Sequence, residues 1–314
     1  MAPAVMQALR AYDHGGVAGL RYEEMAVPSP GIGDVLVEVA AASFTPTELE
    51  WPSTWVDRAG RDRTPIVPGH EVSGKVMALG YGTTGLAAGD QVFGLTDWYR
   101  DGTAAGDVSV EARNLAHRPA SISGTEAAAV PMGGLTSWQA LFVHGGLNCG
   151  QTVIVNGAGG GVGTMAVQLA RHANARVIGM GRAGTRDLVL DLGAHEFVET
   201  HGGEIDEKIN DADVVFDLVG GELLKRCSSM VRRGGIVVSV VESPDRNGMD
   251  EDIRSRFFVV EPDRAQLMRL ARLIDDGQLR PVVGQTADLQ AGQSLFAAKQ
   301  GGGVPGKVVL CPRR

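Results

Sequence analysis

The 314-residue sequence predicts a two-domain α/β protein, in which a domain of short strands is followed by a doubly wound parallel sheet. The length exceeds the roughly 100 to 200 residues of one ordinary domain. Before residue 124 the apolar runs are short, rich in valine and cut by glycine or proline, whereas from residue 151 onward β-branched runs alternate with helical segments. Such alternation predicts a parallel sheet, because consecutive parallel strands need a crossover connection.

The first predicted domain comprises residues 1–123. The runs 34–40, 71–76 and 90–93 are valine-rich and bounded by turn residues. We therefore expect strands separated by tight turns.

The second predicted domain comprises residues 124–262. Its strands are the β-branched runs TVIVN, RVIGM, DVVFDLV and GIVVSVV. Val162, Ala166 and Leu169 share one face of the first helix, which should cover the sheet. Residues 263–314 contain a second amphipathic helix and end in the run GKVVL. We expect this last segment to return and complete the first domain.

Composition excludes several classes of protein. The chain has 29 lysines and arginines against 37 aspartates and glutamates, and its net charge of −8 would repel a phosphate backbone, so no nucleic-acid partner is expected. No stretch reaches 18 uninterrupted apolar residues, so we expect no association with a membrane. The three cysteines have unrelated spacings and the start of the chain does not resemble a signal peptide. We therefore expect a cytoplasmic protein.

A glycine-rich turn at residues 153–163 (VIVNGAGGGVG) carries the clearest chemical signal. It follows a buried strand and leads into the amphipathic helix, which is the context of a dinucleotide-binding turn. There the missing side chains let the backbone approach a pyrophosphate, and the helix start adds a partial positive charge. The alternative is a sharp turn with no ligand. The predicted cofactor contacts in this turn are Ala158, Gly159, Gly160, Gly161, Val162 and Gly163.

The end of the next strand indicates which cofactor binds. Proteins that bind NAD usually place an acidic side chain there, against the ribose 2′-hydroxyl. Here the place holds Arg182, followed by Arg186, with no Asp or Glu before Asp187. A guanidinium suits a phosphate dianion, so we predict NADPH in preference to NADH. The alternative is that Arg182 is a solvated loop residue.

Several blocks, in the same order and at similar spacing, resemble the zinc-independent quinone oxidoreductase branch of the medium-chain dehydrogenase/reductase superfamily. The blocks are ASFTPTEL (42–49), PGHEVSGKV (68–76), GDQVFGL (89–95), AAVPMGGLTSWQAL (128–141), the glycine-rich turn and GKVVL (306–310). The resemblance covers almost the whole chain. It implies a GroES-like β-barrel domain, a Rossmann domain, a cleft between them for a small-molecule substrate, and a homodimer formed through the Rossmann sheet edge.

The resemblance also implies roles for individual residues. It puts Thr136 near the nicotinamide and Ser239 and Val240 near its carboxamide or ribose. Lys307 would reach the adenosine phosphate or ribose. A strand formed by Phe257, Phe258 and Val259 would lie near the nicotinamide ring.

Zinc alcohol dehydrogenases belong to the same superfamily, and His70 stands where their catalytic zinc has a ligand. A catalytic zinc needs three protein ligands. Thr45 stands where the zinc enzymes have a cysteine and where many zinc-independent members have an asparagine, and residues 132–134 supply no third ligand. We therefore expect no metal, and we interpret His70 as a hydrogen-bonded histidine at a strand end.

Without a metal, hydride transfer is easiest to a conjugated acceptor such as a quinone or an α,β-unsaturated carbonyl (enone). The Thr45 hydroxyl and backbone amides near it would stabilise the enolate oxygen, and Tyr99 is an alternative donor that would also supply the proton. The aromatic residues Phe44, Trp51, Trp55 and Trp98 are candidate walls of the substrate pocket, or ordinary core residues. Two other functions stay open: a tailoring reductase for a bulky polyketide-like substrate, and a non-catalytic NADPH-binding protein.

Overall fold

A computed structural model describes residues 4–200, 211–245 and 250–312. The chain divides into two compact units. The first, which we call the barrel unit, comprises Met1–Met132, Pro262–Asp275 and Pro281–Arg314. The second, which we call the Rossmann unit, comprises Gly133–Glu261 and Asp276–Arg280.

Strands predominate before residue 124, and strands and helices intermix after it. The strands are β1 (Val5–Ala11), β2 (Leu20–Ala26), β3 (Asp34–Ser43), β4 (Glu71–Leu79), β5 (Gln91–Leu95), β6 (Asp107–Glu111), β7 (Leu115–His117), β8 (Thr152–Asn156), β9 (Arg176–Gly181), β10 (Glu196–Glu199), β11 (Ala212–Asp217), β12 (Val231–Ser239), β13 (Arg254–Phe257), β14 (Val283–Asp288) and β15 (Lys307–Cys311). The α-helices are α1 (Pro52–Trp55), α2 (Gly124–Ala128), α3 (Pro131–Trp138), α4 (Gly163–His172), α5 (Arg186–Asp191), α6 (Gly221–Ser228), α7 (Arg264–Asp275) and α8 (Gly292–Gln300). In the described residues, no helix is both long enough and apolar enough to cross a bilayer.

The barrel unit is built on a seven-stranded sheet in the order β14-β15-β3-β4-β5-β7, with β6 paired to β3. Strands β3 and β4 alternate buried valines with less buried residues, which is the period-two pattern of a sheet with one face on a core. Strand β15 pairs antiparallel with β3, so the last segment of the chain joins the sheet begun by the first.

The Rossmann unit has a six-stranded parallel sheet in the order β10-β9-β8-β11-β12-β13. Counted from β8, this is the doubly wound order 3-2-1-4-5-6. The order reverses between β8 and β11. In such sheets ligands bind at the carboxyl ends of the strands beside this reversal. The α/β fold class predicted from the sequence, with a GroES-like barrel and a Rossmann sheet, is confirmed.

The boundary between the units lies inside α3, at Met132 and Gly133, rather than before residue 124 as the sequence analysis expected. Helix α2 packs against β3 and β4, and the Met132 amide donates a hydrogen bond to Glu71 Oε1 at 2.9 Å. These contacts assign the start of α3 to the barrel unit. Residues Asp276–Arg280 belong to the Rossmann unit because the Arg280 backbone exchanges two hydrogen bonds with the Gln168 side chain.

The barrel unit buries several ionisable side chains. Lys307 Nζ, 5% exposed, forms an ion pair with Oε2 of the fully buried Glu71. Glu48 is also fully buried, and it accepts the amides of Thr45 at 3.1 Å and Gly69 at 2.6 Å. Burial raises the pKa of Glu48 to about 8, although these two amides favour the charged form. Glu48 therefore joins the end of β3 to the segment that leads into β4.

We expect Glu48→Gln to change how stability depends on pH. The pKa of Glu48 is higher in the folded than in the unfolded state, so its contribution to stability is complete below about pH 4.5 and is lost as the pH rises through about 8. The melting temperature of Glu48→Gln minus that of the wild type should therefore rise from pH 5 to pH 8. The accompanying change in unfolding free energy is on the order of a few kcal/mol. For the control Glu50→Gln, at an exposed position, the difference in melting temperature from the wild type should not change with pH. A difference that is also independent of pH in Glu48→Gln would contradict the prediction.

Candidate functional site

The glycine-rich turn after β8 has a backbone that side chains would disrupt. Gly157 has a φ of +90°, which favours glycine, and its amide and that of Ala158 both donate to the Met180 carbonyl at 2.9 Å. A Cβ on Gly163 would lie 2.2 Å from the Gly157 carbonyl oxygen. The turn is therefore folded tightly onto the start of α4. This arrangement leaves a side-chain-free surface of the kind that accepts a pyrophosphate.

Helix α3 lies directly against the same turn. A Cβ on Gly133 would lie 2.4 Å from the Gly161 carbonyl oxygen, and Ser137 Oγ donates to the Val162 carbonyl at 3.0 Å. Thr136, on this helix, is 3% exposed, and its hydroxyl has no hydrogen-bond partner in the described part of the chain. Buried hydroxyls are normally paired, so this one is suited to a ligand.

A buried hydrogen-bonded triad joins the carboxyl ends of β8, β11 and β12. Asp217 accepts a hydrogen bond from Asn156 Nδ2 at 2.6 Å and another from Ser239 Oγ at 2.9 Å. The Asp217 carboxylate also accepts the Gly220 amide, at 3.1 and 3.2 Å to its two oxygens. All three side chains of the triad are fully buried. The triad lies at the reversal of strand order and fixes the loops that follow the three strands.

Asn156 and Asp217 were not predicted from the sequence as site residues. The available signal was a polar residue at the end of two neighbouring apolar strands, since parallel strand ends share one edge of a sheet.

The turn after β9 lies against the glycine-rich turn. A Cβ on Gly159 would lie 2.5 Å from Thr185 Cβ. Thr185 belongs to the turn between Arg182 and Arg186, and both arginines are exposed. The Arg186 guanidinium lies over the Phe197 ring, 5.7 Å from its centroid. The structure thus brings the segment that carries the two arginines against the glycine-rich turn through Thr185.

The residues expected near the nicotinamide lie around the ends of β12 and β13. The Ser239 hydroxyl is occupied, since it donates to Asp217 and accepts the Val241 amide at 3.2 Å, and Val240 follows it. Strand β13 ends at Phe257, so Phe258 and Val259 lie beyond it and the expected strand 257–259 is displaced. The last paired residues are Ser239 in β12 and Phe257 in β13. Phe258 is 6% exposed and contacts His144, whereas Phe257 and Val259 are 41% and 61% exposed.

Three residues expected at the cofactor or the pocket lie inside the barrel unit. The Lys307 ammonium is engaged by Glu71, which removes it as a partner for an adenosine phosphate. The Phe44 ring stacks on Phe296 with centroids 3.4 Å apart, and Trp55 Nε1 donates to the Leu49 carbonyl. Phe44 and Trp55 are 2% and 4% exposed, so they are core residues and not pocket walls.

Trp51 and Trp98 form an aromatic cluster with His70. The His70 ring lies 4.7 Å from that of Trp98 and 6.0 Å from that of Trp51, and the two indoles meet edge to face at 5.8 Å. His70 is 3% exposed, whereas both tryptophans are partly exposed. Burial lowers the pKa of His70 to about 3. The imidazole is therefore neutral at physiological pH.

The two catalytic candidates differ in position. Thr45 lies at the end of β3, with its amide donated to Glu48. Tyr99 lines a separate cavity of about 350 Å³ together with Met25, Pro28 and Arg63. Neither Thr45 nor any member of the aromatic cluster lines that cavity. Tyr99 thus lines a cavity to which Thr45 and the predicted pocket aromatics do not contribute.

The donor set around His70 does not fit a catalytic zinc. Its neighbours are two indoles and the Thr96 hydroxyl, which approaches Nδ1 at 3.2 Å. Within residues 4–200, 211–245 and 250–312, no three His, Cys, Asp or Glu side chains are arranged to hold a metal ion. The expectation of a metal-free reaction stays a prediction.

Comparisons with known proteins agree with this geometry. Residues 31–135 match the model of the alcohol dehydrogenase GroES-like domain, and residues 192–310 match that of zinc-binding dehydrogenases. A probable mitochondrial zinc-binding oxidoreductase of Arthroderma benhamiae is 30% identical, over 93% of this chain and 92% of its own length. The 2-methylene-furan-3-one reductase of Solanum lycopersicum is 29% identical, over 99% of this chain and 80% of its own.

Among solved structures, the quinone oxidoreductase of Coxiella burnetii superposes with a TM-score of 0.91 at 24% identity, covering 99% of this chain and all of its own. This likeness supports the fold. The relatives and the two matched domains show that the chain belongs to the medium-chain dehydrogenase/reductase superfamily of oxidoreductases.

Proposed function

We propose that the protein is an NADPH-dependent reductase of quinones or enones that works without a metal. The observation that carries the proposal is the backbone surface of the glycine-rich turn, with the unpaired Thr136 hydroxyl on the helix that touches it. Gly133, Gly157 and Gly163 each lie where a side chain would strain or obstruct this surface. A nicotinamide dinucleotide has the pyrophosphate and the polar head group that these features suit.

The chemistry follows from what the residues can and cannot supply. A bound nicotinamide would supply a hydride to an electron-poor carbon of a conjugated substrate, and a proton from water would complete the reduction. The substrate oxygen gains negative charge, and no metal ligand set is present among the described residues to stabilise it. Conjugation spreads this charge, and hydrogen-bond donors in a dry site stabilise the rest. Trp51 and Trp98 offer flat apolar surfaces for a planar substrate.

The preference for NADPH is proposed from the turn after β9. Arg182 and Arg186 flank the residue that contacts Gly159, so both start close to the glycine-rich turn. The first acidic residue after β9 is Asp187, inside α5. Guanidinium groups pair with a 2′-phosphate through charge-assisted hydrogen bonds, whereas the diol of NADH offers no charge.

We further propose a homodimer in the cytoplasm. Strand β13 is an edge of the six-stranded sheet, and its last residue, Phe257, is exposed. An edge strand of this kind has free backbone groups for pairing with a second copy. The three cysteines are free, which suits a reducing compartment.

The first prediction concerns cofactor choice. Arg182→Ala should raise the dissociation constant for NADPH at least tenfold, since a charge-assisted pair is lost, and change that for NADH less than twofold. Isothermal titration of both cofactors with both proteins measures this. Arg226→Ala, at an exposed position on α6, is the matched control and should change neither constant. Equal affinity of the wild type for the two cofactors would refute the preference.

Thr136→Val separates a ligand-binding role from a structural one. Valine has nearly the shape of threonine and removes a buried hydroxyl that has no partner among the described residues, so the melting temperature should stay the same or rise. The affinity for NADPH or the value of kcat/KM should fall about tenfold, as expected for one lost hydrogen bond. Ser137→Ala is the contrasting variant, because it removes a hydroxyl that bonds Val162 and should lower the melting temperature. A lower melting temperature with unchanged cofactor affinity in Thr136→Val would show that the hydroxyl is structural.

Turnover distinguishes an enzyme from a protein that only binds NADPH. The wild type should consume NADPH with 1,4-benzoquinone and with 2-cyclohexenone. It should not do so with cyclohexanone, which has the same ring and carbonyl but no conjugation. A chelator should leave the rate unchanged. Saturable NADPH binding without consumption across the panel would contradict the proposal and favour a binding protein.

A further inference from the structure

We infer that His70 is a catalytic residue, which donates a hydrogen bond from Nε2–H to the carbonyl oxygen of the substrate. The inference deepens the proposed function and rests on it. It assigns the stabilisation of the developing negative charge, which a zinc ion would otherwise supply, to a neutral imidazole. His70 lies in the barrel unit, immediately before β4.

His70 packs against two aromatic rings that are partly exposed. The residue itself is 3% exposed, and the two rings belong to Trp51 and Trp98. The imidazole centroid lies within 6.0 Å of each indole, so a planar ligand that packs on the exposed part of the indoles comes close to the imidazole. Apolar rings of this kind displace water from a bound ligand, which strengthens a hydrogen bond made beside them.

The hydrogen bond to Thr96 determines which ring nitrogen carries the proton. The Thr96 side chain is 1% exposed, and among the described residues its hydroxyl has one partner, His70 Nδ1 at 3.2 Å. A buried hydroxyl needs an acceptor for its proton, and Nδ1 is the acceptor within reach. Nδ1 then carries no proton. In a neutral imidazole the proton must therefore be on Nε2.

The imidazole is neutral and its Nε2–H is available. Burial is the main cause of the lowered pKa of His70, the positive charge of Arg63 lowers it further, and the negative charge of Asp97 opposes both. Above about pH 4 the ring is uncharged. No described side chain or carbonyl accepts a hydrogen bond from Nε2. Nε2 is not one of the buried side-chain nitrogens that lack a partner among the described residues, so solvent reaches it in the free protein, and a ligand oxygen can replace water as its acceptor.

Three substitutions at His70 test whether a hydrogen-bond donor is needed at the position of Nε2. Glutamine places an amide N–H close to where Nε2 lies, asparagine places one close to Nδ1, and phenylalanine keeps the ring but has neither. We expect kcat with 2-cyclohexenone to fall about 100-fold in His70→Asn and His70→Phe, the cost of one lost transition-state donor. His70→Gln should stay within about tenfold of the wild type.

Thr96→Val tests the assignment of the tautomer. It removes the hydroxyl that holds Nδ1 as an acceptor, so a fraction of the molecules should carry the proton on Nδ1, and kcat should fall severalfold. The pH profile gives a second readout. Because the ring stays neutral, kcat should show no limb near pH 6.5 in the wild type. A limb that disappears in His70→Gln would show a charged histidine acting as an acid, and would overturn the inference.

A binding measurement separates this inference from the proposed function. 2-Cyclohexenone with a ¹³C-labelled carbonyl is bound to the protein without any cofactor, and the carbonyl stretching band is followed by isotope-edited infrared spectroscopy. The band should move to lower frequency on the wild type and on His70→Gln. It should stay near its value in an apolar solvent on His70→Asn and His70→Phe, with a dissociation constant about tenfold higher.

The outcomes are distinct. If NADPH is not bound or not consumed while the band shifts as described, the proposed function fails and the carbonyl site stands. If turnover is normal in His70→Asn, or the band is the same in all four proteins, the His70 assignment is overturned. One zinc per chain in the purified wild type, lost in His70→Asn together with activity, also overturns it.

Discussion

The arrangement of the candidate cofactor loops depends on one buried carboxylate, that of Asp217. A desolvated negative charge is tolerated only where donors surround it. Here the donors come from the end of β8 through Asn156, from the end of β12 through Ser239, and from the Gly220 amide. None of the three can move away without leaving part of the charge unpaired. The turns that begin after these residues are therefore held in fixed relative positions at the reversal of strand order.

Much of the fold could be predicted from the sequence, because its strongest signals are local. The runs TVIVN, RVIGM and DVVFDLV are β-branched and bounded by turn residues, and they form β8, β9 and β11. Strand β13 could not be found in this way. Its sequence, RSRF, is polar and has no apolar alternation. It is a strand because its backbone pairs with β12. The boundary inside α3 was also beyond local patterns, because it depends on the Met132 amide reaching Glu71.

The candidate site was predictable where backbone geometry defines it and less so where side chains do. The glycines of the turn and the arginines after β9 can be read directly from the sequence, and the structure places the segment that carries the arginines against the turn through Thr185. Aromatic residues carry no comparable signal. Trp51 and Trp55 are four positions apart, yet one joins His70 and the other lies in the core. Tyr99 directly follows Trp98 but lines a different cavity. Sequence spacing alone does not say which side of a loop a ring occupies.

The ion pair between Lys307 and Glu71 spans 236 positions of the sequence and joins the final strand to β4, and Glu71 also accepts the amide of Met132 in α3. Both charges are buried, and a buried charge that loses its partner is far more costly than a pair replaced as a whole. Substitutions at positions 71 and 307 should therefore occur together. A homologue that had lost the lysine while retaining the glutamate would need another cation at the same place. Among related sequences, the residues at these two positions should covary, whereas neither position needs to be conserved by itself.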